Sequence, residues 1–188
     1  MTLYLASRSP RRTRLLREAG IRHRIVVTKY KELGSPGMSP VSLVQKHAMG
    51  KALAAAAKVK NGLILAADTL VYSQRKIIGK PSSRHAAEKT LLGLQGRWHI
   101  VYTGVALIPV KNKRLLKKVL FHEKTKVRLK KMDLAEIRRY FRRVNPMDKA
   151  GAYAIQVKRG TIVEEVRGSF SNAVGLPMER LCAKMRTL

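Results

Sequence analysis

Two stretches of the chain hold residue types that could do chemistry. In the first, one carboxylate, Asp68, interrupts the otherwise apolar run Asn61-Gly62-Leu63-Ile64-Leu65-Ala66-Ala67-Asp68-Thr69-Leu70-Val71-Tyr72. A run this apolar predicts a strand buried on both faces of a helix-covered sheet, where ligands sit beyond the strand ends. A carboxylate in that setting loses much of its hydration unless a cation, a metal or hydrogen-bond donors meet it. Asp68 is therefore either a site residue or a turn-capping Asp. In the second stretch, Ser7-Arg8-Ser9-Pro10-Arg11-Arg12, Ser9 fits an N-cap followed by proline at the first helical position. That turns free backbone amides and the positive helix end outward beside Arg11 and Arg12, an arrangement suited to phosphate. The plainer alternative is a capped helix with two solvated arginines.

The elements that must position these residues alternate along the chain. Residues 2–6 predict a short strand, and Leu15, Leu16 and Ala19 repeat at helical spacing up to Gly20. Residues 21–27 predict a second strand, 28–40 a Gly/Pro/Ser loop whose one acid is Glu32, and 41–59 an alanine-rich helix. That helix carries Lys46, His47 and Lys51; a lysine there is ordinarily solvated, but Lys51 falls on the Val44 and His47 side. After the central strand, residues 74–81 predict a hairpin-like excursion ending Gly79-Lys80-Pro81, then a helix from Ser82 or Ser83 to Leu94. Residues 97–107 and 117–129 predict paired strands joined by a turn over 109–114. Asp133, with Glu136 three residues on, predicts a capping box opening a helix to Val144. Residues 148–156 bring small side chains that allow close backbone approach, a short strand starts at Thr161, and a terminal helix starts at Pro177 or Met178. The alternation predicts an α/β fold built on a mixed sheet.

The bulk numbers restrict the class. A chain of 188 residues, 45% apolar, can bury the core of one sizeable domain. One cysteine, Cys182, and no secretory start predict a reducing, cytoplasmic setting, and no apolar run reaches the roughly 18 residues of a membrane span, so no membrane partner is expected. Lys and Arg number 40 against 11 Asp and Glu, a net charge of +29, although charged residues together are an ordinary 27%. The basic residues are spread over every segment and aromatics are 5%, unlike a nucleic-acid groove with stacking rings. This is the pattern of a globular fold whose exposed positions have been recharged, with non-specific polyanion binding as its consequence. Most basic side chains are expected to be exposed and unpaired, with Arg11, Arg12, Lys51 and Lys80 as exceptions.

Several stretches together resemble the Maf family of nucleoside triphosphate pyrophosphatases: LYLASRSPRR at 3–12, Glu32 in its loop, Lys51-Ala52, AADT at 66–69, GKP at 79–81, YTGVAL at 102–107, DKAGAYAIQ at 148–156 and GSFSNAVGLP at 168–177. They occur in the family's order and span nearly the whole chain. The resemblance implies a fold similar to inosine triphosphate pyrophosphatases, a mixed sheet with flanking helices forming a single domain over 1–188, with two lobes around a cleft. It further implies a protein that is often a homodimer, a divalent cation, Mg2+ or Mn2+, as cofactor, and hydrolysis of a nucleoside triphosphate to the monophosphate and pyrophosphate.

That reaction needs cations to hold a polyanion, a metal to neutralise developing charge and a carboxylate to activate water. At the matching positions the resemblance implies Ser7, Arg12, Lys51 and Lys80 as the clamp, Glu32 and Asp68 as metal ligands, and Asp68 as proton acceptor. Arg11, Thr69 and Gln156 match the branch similar to dTTP/UTP pyrophosphatases, where the branch acting on 7-methyl-GTP tends to carry Trp, Gln and Glu. A glutamine amide can meet both the donor and the acceptor edge of a pyrimidine. The charge keeps two rivals open, a non-specific nucleic-acid-binding protein and a folded but inactive scaffold; pyrophosphate release from dTTP would exclude both.

Overall fold

The apolar run around Asp68 becomes the strand on which the rest of the sheet is assembled. A computed structural model describes residues 1–34, 37–156 and 162–188. In chain order the elements are β1 (Leu3–Leu5), α1 (Pro10–Glu18), β2 (His23–Ile25), α2 (Pro40–Ala56), β3 (Gly62–Ser73), β4 (Lys76–Ile78), α3 (Arg84–Leu94) and β5 (Trp98–Lys111). They continue with β6 (Arg114–Leu115), β7 (Val119–Leu129), α4 (Leu134–Phe141), a 3-10 turn (Ala150–Ala152), β8 (Val163–Arg167), α5 (Phe170–Val174) and α6 (Met178–Met185). The main sheet runs β2-β1-β3-β5-β7-β8, parallel among its first three strands and antiparallel thereafter.

Alternation along β3 sends Ile64, Ala66 and Leu70 to the face covered by α2, and Leu63, Leu65, Ala67 and Val71 into the larger core on the other face. The α2 face is built from small residues: Ala48, Ala52 and Ala55 are fully buried, so the helix lies close to the strands. The closest approach is at Gly104, where an added Cβ would stand 2.5 Å from the Val44 carbonyl group. Gly104 is registered opposite Asp68, so the approach brings α2 down beside the carboxylate.

The predicted elements are present in order, with local differences. Residues 109–114 are not a simple turn, because β5 continues through Pro109 to Lys111 and folds back as β6. Pro109 is tolerated because its nitrogen points to the side where β7 has already ended; the Leu107 to Val119 pair is the last of that ladder, and Pro109 O instead accepts from Leu116 N. The Asp133 and Glu136 capping box is reciprocal, at 2.8 and 2.9 Å. Ser9 occupies the N-cap of α1 with Pro10 following, but its hydroxyl caps nothing; Ser7 Oγ accepts from Ser9 N instead. The last predicted strand begins later than expected, at Val163, and Thr161 lies outside the described residues.

Among the described lysines and arginines, all but Arg11, Arg12, Lys51, Arg128 and Lys149 are exposed. Lys80, expected with the exceptions, is exposed at the rim of the cleft.

Candidate active site

The register of β3 opens the sheet where the site lies. One edge of β3 pairs with β5 continuously from Gly62 to Tyr72. The other edge pairs with β1 over residues 63–65 and with β4 over 71–73, so among the described residues no strand covers it at 66–70. Asp68 and Thr69 stand in that gap. Being consecutive in a strand, they point to opposite faces, and only a gap in the sheet lets both border one space. That space is a cleft of about 650 Å³, lined by all nine sequence-predicted site residues: Ser7, Arg11, Arg12, Glu32, Lys51, Asp68, Thr69, Lys80 and Gln156.

On the α2 face, Lys51 Nζ is held by Asp68 Oδ1 at 2.7 Å and Glu32 Oε1 at 2.6 Å, and donates to the uncovered Ala67 carbonyl at 3.3 Å. Lys51 and Asp68 side chains are each only 11% exposed, so this pair is much less screened than a surface pair. Burial pushes the Glu32 carboxyl up, but Lys51, with help from Lys80 and His47, outweighs it and holds the carboxyl below its usual range. Tyr30 closes this side. Its hydroxyl bonds His47 Nδ1 at 3.0 Å, and its ring lies over Gly50, where a Cβ would meet it at 2.1 Å.

Two carboxylates from separate elements thus converge on one positive charge. They are hard oxygen donors of the kind that hold Mg2+ together with substrate phosphates and water. No cluster of three or more His, Cys, Asp or Glu able to hold a metal occurs among the described residues, so a cation here would draw its remaining ligands from substrate and solvent.

On the opposite face, Arg12 is 8% exposed and donates from Nε to Gly175 O at 2.8 Å, from one terminal nitrogen to Ser7 Oγ at 3.0 Å and from the other to Thr69 Oγ1 at 3.0 Å. All three acceptors are neutral. Burial lowers the pKa of the guanidinium, opposed chiefly by the charge of Asp68. A buried cation with neutral partners only, and five N–H donors of which three are used among the described residues, is a built receptor for an anion. Thr69 Oγ1 shares a hydrogen bond with Thr103 Oγ1 at 3.0 Å, and Thr103 donates to Asn172 O at 3.2 Å. Asn172 is fully buried and donates to Thr125 Oγ1 at 2.9 Å and Val101 O at 3.3 Å, tying the segment that ends in Gly175 to β5 and β7.

The remaining predicted residues sit at the mouth. Arg11 is engaged by Asp148, through its carboxylate at 2.9 Å and its carbonyl at 3.2 Å, an ion pair joining α1 to the 148–156 segment. Gln156 is half-buried in the cleft wall. Thr69 borders the same cleft as Arg11 and Gln156 and is bonded to Arg12. Beneath the 148–156 segment, the Tyr153 hydroxyl and His99 Nε2 are 2.7 Å apart, and burial pushes the His99 pKa down to about 4, so the ring is neutral at pH 7. Tyr30, Thr103, Asn172, Gly175 and Asp148 carry no role in the sequence reading; the motifs contain four of them, but the site partners of those four lie between 34 and 163 residues away.

Residues 2–188 match the family model described as Maf-like protein. A dTTP/UTP pyrophosphatase of Pelotomaculum thermopropionicum is 39% identical over 98% of this chain and 95% of its own length. One of Carboxydothermus hydrogenoformans is 41% identical over 99% of this chain and 98% of its own. The solved structure of the Staphylococcus aureus Ham1 protein aligns over 69% of this chain and 72% of that one, with a TM-score of 0.48 and 14% identity.

Proposed function

Because this chain belongs to the Maf-like protein family, we propose that it hydrolyses dTTP and UTP to the monophosphate and pyrophosphate in the cytoplasm, with a divalent cation. The observation that carries the reading is the charge arrangement at the gap in β3. A buried arginine with only neutral partners lies on one face, and two carboxylates sharing one lysine lie on the other. A triphosphate with its metal complements both halves: phosphate oxygens for Arg12 and Lys51, and a cation for Glu32 and Asp68. The cation would neutralise phosphate charge as the bond between the α and β phosphates breaks. Lys80 at the rim adds positive charge to the polyphosphate path, and Asp68 accepts the proton of the attacking water. All nine candidate residues come from one copy of the chain.

Gln156 in the cleft wall supports pyrimidine selection, since an amide held in one orientation presents one donor and one acceptor. CTP presents an amino donor and an unprotonated ring nitrogen where UTP presents a carbonyl and an N–H. A site that hydrogen-bonds the base edge rejects analogues leaving its groups unpaired. In a panel assayed for pyrophosphate, dTTP and UTP are expected to exceed CTP, purine triphosphates and 7-methyl-GTP by more than about tenfold in kcat/KM. Gln156→Glu should lower the two preferred substrates and narrow their lead. CTP turned over as fast as UTP, or an unchanged ranking in the variant, would refute the base-edge assignment.

A further inference from the structure

At the end of the sheet opposite the cleft, the β5–β6 hairpin, the link from β6 to β7 and the approach to β3 gather six cations: Lys60, Lys111, Lys113, Arg114, Lys117 and Lys118. All are exposed, and none forms an ion pair with a described residue. The sheet itself assembles them. Gly62 is registered opposite Val110, and Lys113 N donates to Lys60 O at 2.9 Å. Nothing in the local sequence offsets the charge, for residues 33–67 and 89–122 contain no Asp or Glu.

Three leucines stand open to water within this field: Leu115 is 41% exposed, Leu116 49% and Leu120 40%. Leu115 is registered opposite Val110 and Leu120 opposite Ala106, so both lie on the face that α2 covers, yet beyond its reach. A single-stranded nucleic acid would call for stacking rings, and residues 103–120 contain no aromatic. A basic rim around an apolar tip is instead the complement of an anionic bilayer, whose headgroups attract the cations while the leucines enter the boundary with the acyl chains.

We infer that this end of the molecule docks on an anionic lipid surface. The contact lies on the bilayer and requires no spanning helix; none of the described helices is long and apolar enough to be one. Along β3, roughly 20 Å separates Gly62 from Asp68, so the docked protein keeps its cleft open to water.

The test is co-sedimentation at physiological salt with vesicles of phosphatidylcholine alone or containing about one third phosphatidylserine. Binding is expected only to the latter. Each basic residue near such a surface contributes roughly fivefold in affinity, so changing Lys113, Arg114, Lys117 and Lys118 together to Gln should weaken binding more than about a hundredfold. Changing Leu115 and Leu116 to Ser should weaken it about tenfold. Changing Lys89 on α3, Arg139 on α4 and Arg142 and Arg143 just after it to Gln removes the same charge elsewhere and should cost less than about fivefold. Melting curves confirm that every variant is folded. Equal losses from the two charge sets would mean diffuse attraction and overturn the assignment. So would a leucine variant that binds like the parent, which would leave a purely electrostatic surface such as nucleic acid uses.

Discussion

Asp68→Asn is expected to lower pyrophosphate release from dTTP by roughly a thousandfold in kcat, the range a positioned proton acceptor supplies, with the melting temperature within a few degrees of the parent. The two halves of this expectation come from different contacts. Asp68 Oδ1 is held by Lys51, while Oδ2 is engaged by no described residue and is available to take a proton from water. Asn keeps an acceptor for Lys51 but has no basic oxygen to receive that proton. Stability is spared because Lys51 is not stranded by the change. It retains Glu32 at 2.6 Å, so the variant does not leave a buried charge without a partner, the condition that makes a broken buried pair costly. Activity within about tenfold of the parent would remove Asp68 from the proton-acceptor role, and a collapse in melting temperature would make its role structural.

Arg12→Lys should do the reverse and damage stability and catalysis together. The guanidinium reaches three acceptors in three places, the Ser7 loop, Thr69 on β3 and the carbonyl of Gly175 after α5. An ammonium on a flexible stem keeps the charge but cannot span that frame. Leaving buried acceptors unmet should cost about 2–3 kcal/mol, which for a chain of this length lowers the melting temperature by roughly 5–10 °C. Activity should fall about a hundredfold, because the Ser7 loop and Gly175 lose the side chain that fixes their separation. Differential scanning calorimetry with a steady-state assay on the same sample checks both. A lysine variant as stable as the parent would show that charge alone, and not the fork of donors, matters at this position.

The contrast between these two residues shows what is legible in the sequence. Asp68 stands out in the sequence alone because a carboxylate inside a twelve-residue apolar strand conflicts with its surroundings, and such conflicts mark sites. Helical spacing places its partner Lys51 on the correct side of α2. The element order, the capping box at Asp133 and the small-residue face of α2 follow from patterns only a few residues long. The gap in β3 does not. It arises because β1 stops at Leu5 while β4 rejoins the same edge at Val71, a consequence of register between segments far apart in sequence.

The same limit explains Arg12 and Thr69. Arginine beside a helix start suggests a phosphate ligand or a solvated side chain, and no local pattern points to its bond with the carbonyl of Gly175, 163 residues away. Thr69 follows Asp68 in sequence, and strand alternation sends it to the other face, into the Arg12 frame with Thr103. Arg11 and Gln156 border the same cleft, but the bonds that fix Thr69 in it follow from strand register and not from the family pattern. Pro109 gives a turn signal that the ladder overrides, because a proline is harmless where the next strand has already ended.

The central claim, cleavage of a triphosphate between its α and β phosphates at the gap in β3, is tested most directly by the products. Purified protein with dTTP and a divalent cation, followed by 31P NMR, should yield dTMP and pyrophosphate in equal amounts, with neither dTDP nor orthophosphate. The same reaction with the Asp68→Asn variant should stay at background. Formation of dTDP and orthophosphate, or equal product from the parent and the variant, would contradict the account.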